Sequence, residues 1–96
     1  MSDLVIIVRV QAKPGLEAAL VAAQTALVPL SRLQPGCIAY ELHEDLNQPG
    51  KVVFYERWQD RTSWEKHLAG PHSAAFRAQA GDWIADLEML EMRQVG

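Results

Sequence analysis

Two of the chain's three histidines, His67 and His72, stand five residues apart in a stretch dense with aromatic and ionisable groups. That stretch runs from Glu56-Arg57-Trp58-Gln59-Asp60 through Trp64 to Phe76. Imidazole titrates near working pH, so either ring suits a general base or a hydrogen-bond donor to a ligand oxygen. On an unbroken helix Trp64 and His67 share a face, and His72 lies about 140° around from His67. The intervening Gly70-Pro71 breaks such a helix and lets both rings converge on one pocket. The structural alternative is that one or both imidazoles only bond the backbone at that break.

Glu56 alternates with apolar neighbours, so its side chain points with Phe54 and Trp58. A carboxylate there polarises a histidine or takes a proton from a ligand hydroxyl; the plainer reading is an ion pair with Arg9 or Arg57. Tyr40 offers a phenolic donor on a strand face that also serves as core. Trp58, Trp64, Trp83, Phe54 and Phe76 wall a cleft for a flat aromatic ligand or simply fill the interior. The expected site therefore has His67 and His72 in the catalytic role. Trp64, Phe76, Tyr40 and Glu56 contact the ligand, between the sheet and the broken second helix.

Other chemistries lack their residues. Two histidines at this spacing, without a cysteine partner or a His-Glu-x-x-His signature, supply too few ligands for zinc, and no metal is expected. His43 reads as a solvated strand residue and Cys37 as a buried structural one. Gly-x-Gly-x-x-Gly, Gly-x-x-x-x-Gly-Lys-Ser/Thr and Gly-x-Ser-x-Gly are all absent, so no nucleotide cofactor or nucleophilic serine is indicated.

The elements that must hold these groups follow from periodicity. Leu4–Val10 is β-branched and almost continuously apolar, a strand covered on both faces. Leu16–Leu33 carries Leu16, Leu20, Ala23, Leu27 and Leu30 at helical steps, with a kink or break expected at Pro29. Cys37–Leu46 is a strand with Ile38, Tyr40 and Leu42 on one face and Glu41, His43 and Asp45 on the other. Asn47-Gln48-Pro49-Gly50 turns the chain into a third strand, Lys51–Gln59. There Val53, Tyr55 and Arg57 oppose Val52, Phe54, Glu56 and Trp58. Asp60 caps a helix over Arg61–Leu68, and Pro71 opens a second segment, His72 to about Ala80. Asp86–Arg93 is the last strand, alternating around Leu87, Met89 and Glu91.

The order β-α-β-β-α-β predicts an α+β ferredoxin-like sandwich, one domain over residues 1–96. Helices cover one sheet face, and the apolar residues left on the other predict a homodimer packed sheet to sheet. With 49% hydrophobic and 22% charged residues the composition is globular. Nine Lys+Arg against twelve Asp+Glu leave a charge of −3, which argues against nucleic acid and against a polybasic membrane anchor. A single cysteine excludes an intramolecular disulfide. Met1-Ser2-Asp3 is acidic where a secretory leader is basic, and the cytoplasm is the expected compartment.

Several of these segments together resemble the antibiotic-biosynthesis monooxygenase superfamily of dimeric αβ-barrel proteins, most closely its quinol-monooxygenase-like members. The resemblance rests on Pro14-Gly15 after the first strand, Pro35-Gly36-Cys37 with Tyr40-Glu41, and Tyr55-Glu56-Arg57-Trp58. Its most specific part is His67-x-x-x-Pro71-His72-x-x-x-Phe76, and it spans Leu4 to Met92. It implies a cofactor-independent monooxygenase, without flavin, haem or metal, that oxidises a small quinol or phenolic aromatic with O2. Haem-degrading relatives, and those acting on polycyclic aromatics, rely on an Asn. This chain's one Asn, Asn47, falls in the hairpin turn, which disfavours both activities. Two other readings of the pocket stay open: a non-catalytic ligand-binding or stress-response module, and an isomerase of a small hydroxy-carbonyl compound.

Overall fold

The structure, a computed structural model, describes residues 3–96; Met1 and Ser2, used above in reading the N-terminus, lie outside the described residues. Four strands, β1 (Leu4–Ala12), β2 (Cys37–Glu44), β3 (Lys51–Trp58) and β4 (Ile84–Met92), form one antiparallel sheet in the order β2-β3-β1-β4. Helix α1 (Glu17–Arg32) joins β1 to β2, and helices α2 (Arg61–Ala69) and α3 (Pro71–Ala80) join β3 to β4. A short 3₁₀ turn over Gly81–Trp83 leads into β4. This is the ferredoxin-like α+β fold read from the sequence.

Strand alternation sets the core. Ile6, Val8, Val10 and Ala12 of β1 are buried with Val52, Phe54 and Trp58 of β3, Tyr40 of β2, and Leu20, Trp64 and Ala80 from the helices. The opposite sheet face carries Val5, Ile7, Tyr55, Val53, Leu90 and Met92 among charged residues, by the register of β1 with its neighbours. Trp58, by contrast, lies on the helix side with no exposure at all. On the outer face of β1, Val5 is buried and Ile7 half-buried within the single chain. Arg9 is exposed on the outer face, where it pairs with Glu88 at 3.2 Å.

Two local expectations are corrected. The β2–β3 register shifts between Cys37 and Ala39, so Ile38 leaves the face of Tyr40 and Leu42 and is 53% exposed. A bulge inserts one residue and reverses the alternation behind it, which no residue type here signals. Helix α1 runs through Pro29 to Arg32 without a break. Proline removes the bond to the carbonyl of Thr25, and that residue is exposed, where a missing helix bond costs least.

The α2–α3 break follows its chemistry. Asp60 accepts the amide of Ser63 at 2.8 Å and caps α2. Gly70 is extended (φ −70°, ψ 161°) and Pro71 opens α3, its missing donor costing nothing at a first helical position. Ser73 Oγ donates to the carbonyl of His67 at 2.8 Å and ties the two helices together. At the start of β2, Gly36 has φ +85°, and a side chain there would collide with Ser63 of α2. The α1–β2 loop thereby packs against the helix that carries His67.

Candidate functional site

Between the helices and the sheet lies a cavity of about 430 Å³, mainly apolar, walled by Val8, Val10, Phe54, Leu27, Phe76 and Ile84. Leu87 and Met89 of β4 flank it and are 47% and 41% exposed, so this side is open. The polar residues on its wall come from every layer: Glu56 from β3, Tyr40 from β2, His67, Ser73 and Arg77 from α2 and α3, and Gln24 from α1. An apolar chamber with a few convergent polar groups is the usual form of a small-molecule site.

Glu56 and His67 are its centre. Both are nearly inaccessible, at 4% and 5% exposure. The indole Nε1–H of Trp58 donates to Glu56 Oε1 at 3.0 Å. His67 Nδ1–H donates to Gln34 Oε1 at 2.6 Å, which leaves Nε2 as the lone-pair nitrogen. That nitrogen is 4.0 Å from Glu56 Oε1, too long for a direct bond and short enough for both to reach one ligand hydroxyl. The His67 ring also lies 4.9 Å from that of Trp58 and 5.5 Å from that of Tyr40, centroid to centroid.

Burial drives both groups toward their neutral forms. It pushes the Glu56 carboxyl up to about 7 against the opposing bond from Trp58. It pulls His67 down to about 4, reinforced by the charges of His72 and Arg77. The Tyr40 phenol is raised by burial and then by the Glu56 carboxylate, so it stays protonated as a donor. At neutral pH the site thus holds a neutral imidazole and a carboxyl balanced between its two states. A carboxylate with that midpoint is well matched to general-base work.

The remaining expected residues separate. Phe76 borders the cavity, whereas Trp64 and His72 are not part of its wall. Trp64 is buried in the core with Arg61 stacked 5.6 Å above its ring. His72 comes within 5.6 Å of His67, ring to ring, and its Nε2 is buried without a hydrogen-bond partner among the described residues. His43 is exposed and bonded to Glu41 at 2.9 Å, and burial raises the half-buried Cys37 thiol. Among the described residues no three His, Cys, Asp or Glu side chains cluster as a metal site. Reading the sequence missed Gln34 and Gln24. Gln34 sits in a loop without periodicity, but Gln24 was visible: it interrupts the apolar face of α1 one turn after Leu20.

Residues 3–79 match the antibiotic biosynthesis monooxygenase family. The chain belongs to that family. Its Mycobacterium tuberculosis relative Rv0793, provisionally called a monooxygenase, is 32% identical over 83 residues, 86% of this chain and 81% of its own length. The family's fold is reproduced throughout. The structure of Rv0793 superposes with a TM-score of 0.89 at 27% identity, over 99% of this chain and 97% of that one. PA3566 of Pseudomonas aeruginosa gives 0.95 at 26% identity, over 100% and 97%. No helix of the described chain is long and apolar enough to cross a membrane.

Proposed function

We propose that this member of the antibiotic biosynthesis monooxygenase family is a cofactor-independent monooxygenase of a small quinol or related phenol. The observation that carries the reading is the buried Glu56–His67 pair on the wall of an apolar cavity. The Glu56 carboxylate takes the proton of a ligand hydroxyl, the Tyr40 phenol donates to the resulting oxyanion, and the neutral His67 imidazole, whose one N–H is held by Gln34, packs beside the ligand. The electron-rich anion gives one electron to O2, and the radical pair combines to a hydroperoxide on the ring. The O–O bond then breaks with loss of water and leaves a hydroxylated quinone. The balance is one quinol plus one O2 to one hydroxyquinone plus one water, with the substrate as sole reductant. His72, read from the sequence as a second candidate base, is a neighbour of His67 in this scheme and not a contact of the ligand.

The same reading places the protein in the cytoplasm as a homodimer, with the outer sheet face as the contact. Its apolar residues Val5, Ile7, Val53, Tyr55, Leu90 and Met92 support the pairing. An oxygen electrode with a panel of reduced quinones and phenols tests the activity. Wild-type protein consumes one O2 per quinol, and Glu56→Gln lowers the rate by about 10²–10⁴, the usual value of a general base. Turnover of hydroxy-carbonyl compounds without oxygen uptake would instead identify an isomerase. Ligand-induced stabilisation without turnover would identify a binding module.

A further inference from the structure

Gln24 projects from the buried face of α1, between Leu20 and Leu27, and is 1% exposed. Neither its Oε1 nor its Nε2 has a hydrogen-bond partner among the described residues. Gln24 nevertheless borders the same cavity as Glu56 and His67. Buried amides are almost always paired, and one at helical spacing inside an apolar stripe would be more stable as leucine or methionine. A carboxamide is a donor and an acceptor on one planar group, so it suits an oxygen that both gives and takes a hydrogen bond. Glu56 and His67 approach from β3 and α2, so Gln24 addresses the ligand from a different wall.

We propose that Gln24 is a recognition residue for a second oxygen function of the ligand, distinct from the hydroxyl that meets Glu56. This deepens the proposed function and rests on it for the position of the first hydroxyl. The ligand class narrows to flat apolar molecules carrying two separated oxygen substituents, a diol or hydroxy-ketone on an aromatic body. A monophenol leaves the amide buried and unpaired, and a site built to bond a polar group rejects the analogue that lacks it.

The test is binding, read anaerobically so that turnover plays no part, by quenching of tryptophan fluorescence. Trp58, whose ring lies 4.9 Å from that of His67 at a tilt of 36°, supplies the reporter. The probes are 1,4-dihydroxynaphthalene, 4-methoxy-1-naphthol and 1-naphthol. Wild-type protein binds the diol about tenfold or more tighter than 1-naphthol, the methoxy compound falls between, and Gln24→Met binds the diol and 1-naphthol alike. Gln24→Glu, which keeps an acceptor, guards against an effect of shape alone and retains part of the preference. The recognition role also predicts that ligand-free Gln24→Met melts no lower than wild type, whereas a structural role for the amide predicts a lower melting temperature. Wild-type protein that binds none of the probes, or a diol preference unchanged in Gln24→Met, overturns the proposal. Loss of the preference in a protein that consumes no oxygen would refute the monooxygenase reading and leave the role of Gln24 standing.

Discussion

At the scale of single residues, Glu56 and His67 are held together by opposite shifts with one cause. Desolvation favours the uncharged carboxyl and the uncharged imidazole, so at neutral pH the imidazole is neutral and Glu56 is only partly ionised. Stability should record this. The folded state holds the Glu56 proton more tightly than the unfolded chain, so this contribution is complete below about 4.5 and is lost as pH rises to about 7. His67 acts in the other direction: its contribution is present above 6.5 and is lost as pH falls toward 4. Glu56→Gln should therefore gain on wild type between pH 5 and pH 8 by on the order of 2–3 kcal/mol, read from denaturant melts. A constant difference across that range would show that Glu56 titrates normally. His67 and Glu56 were both visible in the sequence, one from its type and one from strand alternation. Their coupling was not, because Gln34 and Trp58 orient them through contacts that only the tertiary fold creates.

At the scale of elements, turn residues and periodicity made the order of strands and helices legible. Gly70-Pro71 marked the α2–α3 break to the residue because both members act locally: one ends a helix and the other can only begin one. The bulge at Ile38 and the unbroken α1 depended on pairing and exposure, which are not local properties. The same distinction explains why Trp64, which shares a helical face with His67, and His72, which the break brings near it, look like site residues in the sequence yet sit outside the cavity wall. The break rotates α3 relative to α2, and Phe76 reaches the chamber while His72 turns toward His67. Gly36 joins the loop that carries Gln34 to α2 through a conformation that L-residues adopt at a cost of about 1–2 kcal/mol. Gly36→Ala should lower stability by at least that amount, because the added methyl also meets Ser63. Gly81→Ala is the control. At φ −57° and with open space around the new carbon, it should cost nothing. Equal melting temperatures for the two variants would show that the Gly36 conformation does not hold the loop against α2.

At the scale of the whole molecule, the sheet has one face committed to the core and one face of mixed character. Apolar residues along β1, β3 and β4 alternate with the Arg9–Glu88 and Arg57–Asp3 pairs, a composition suited to a second copy of the chain. Sedimentation at micromolar concentration should show a dimer that Val53→Asp dissociates; a wild-type monomer would contradict the pairing. The chamber lies on the other face, and the proposed function has its buried Glu56 carboxylate start the reaction of a phenolic ligand with oxygen. The pH dependence of oxygen uptake tests it most directly, with the same reduced quinone supplied to wild type and Glu56→Gln. Wild type should gain about tenfold in rate per pH unit below 7 and level off above it, as Glu56 loses its proton. Glu56→Gln should be slower by about 10²–10⁴ and lack that inflection. A variant that keeps both the rate and the inflection would rule out Glu56 as the base.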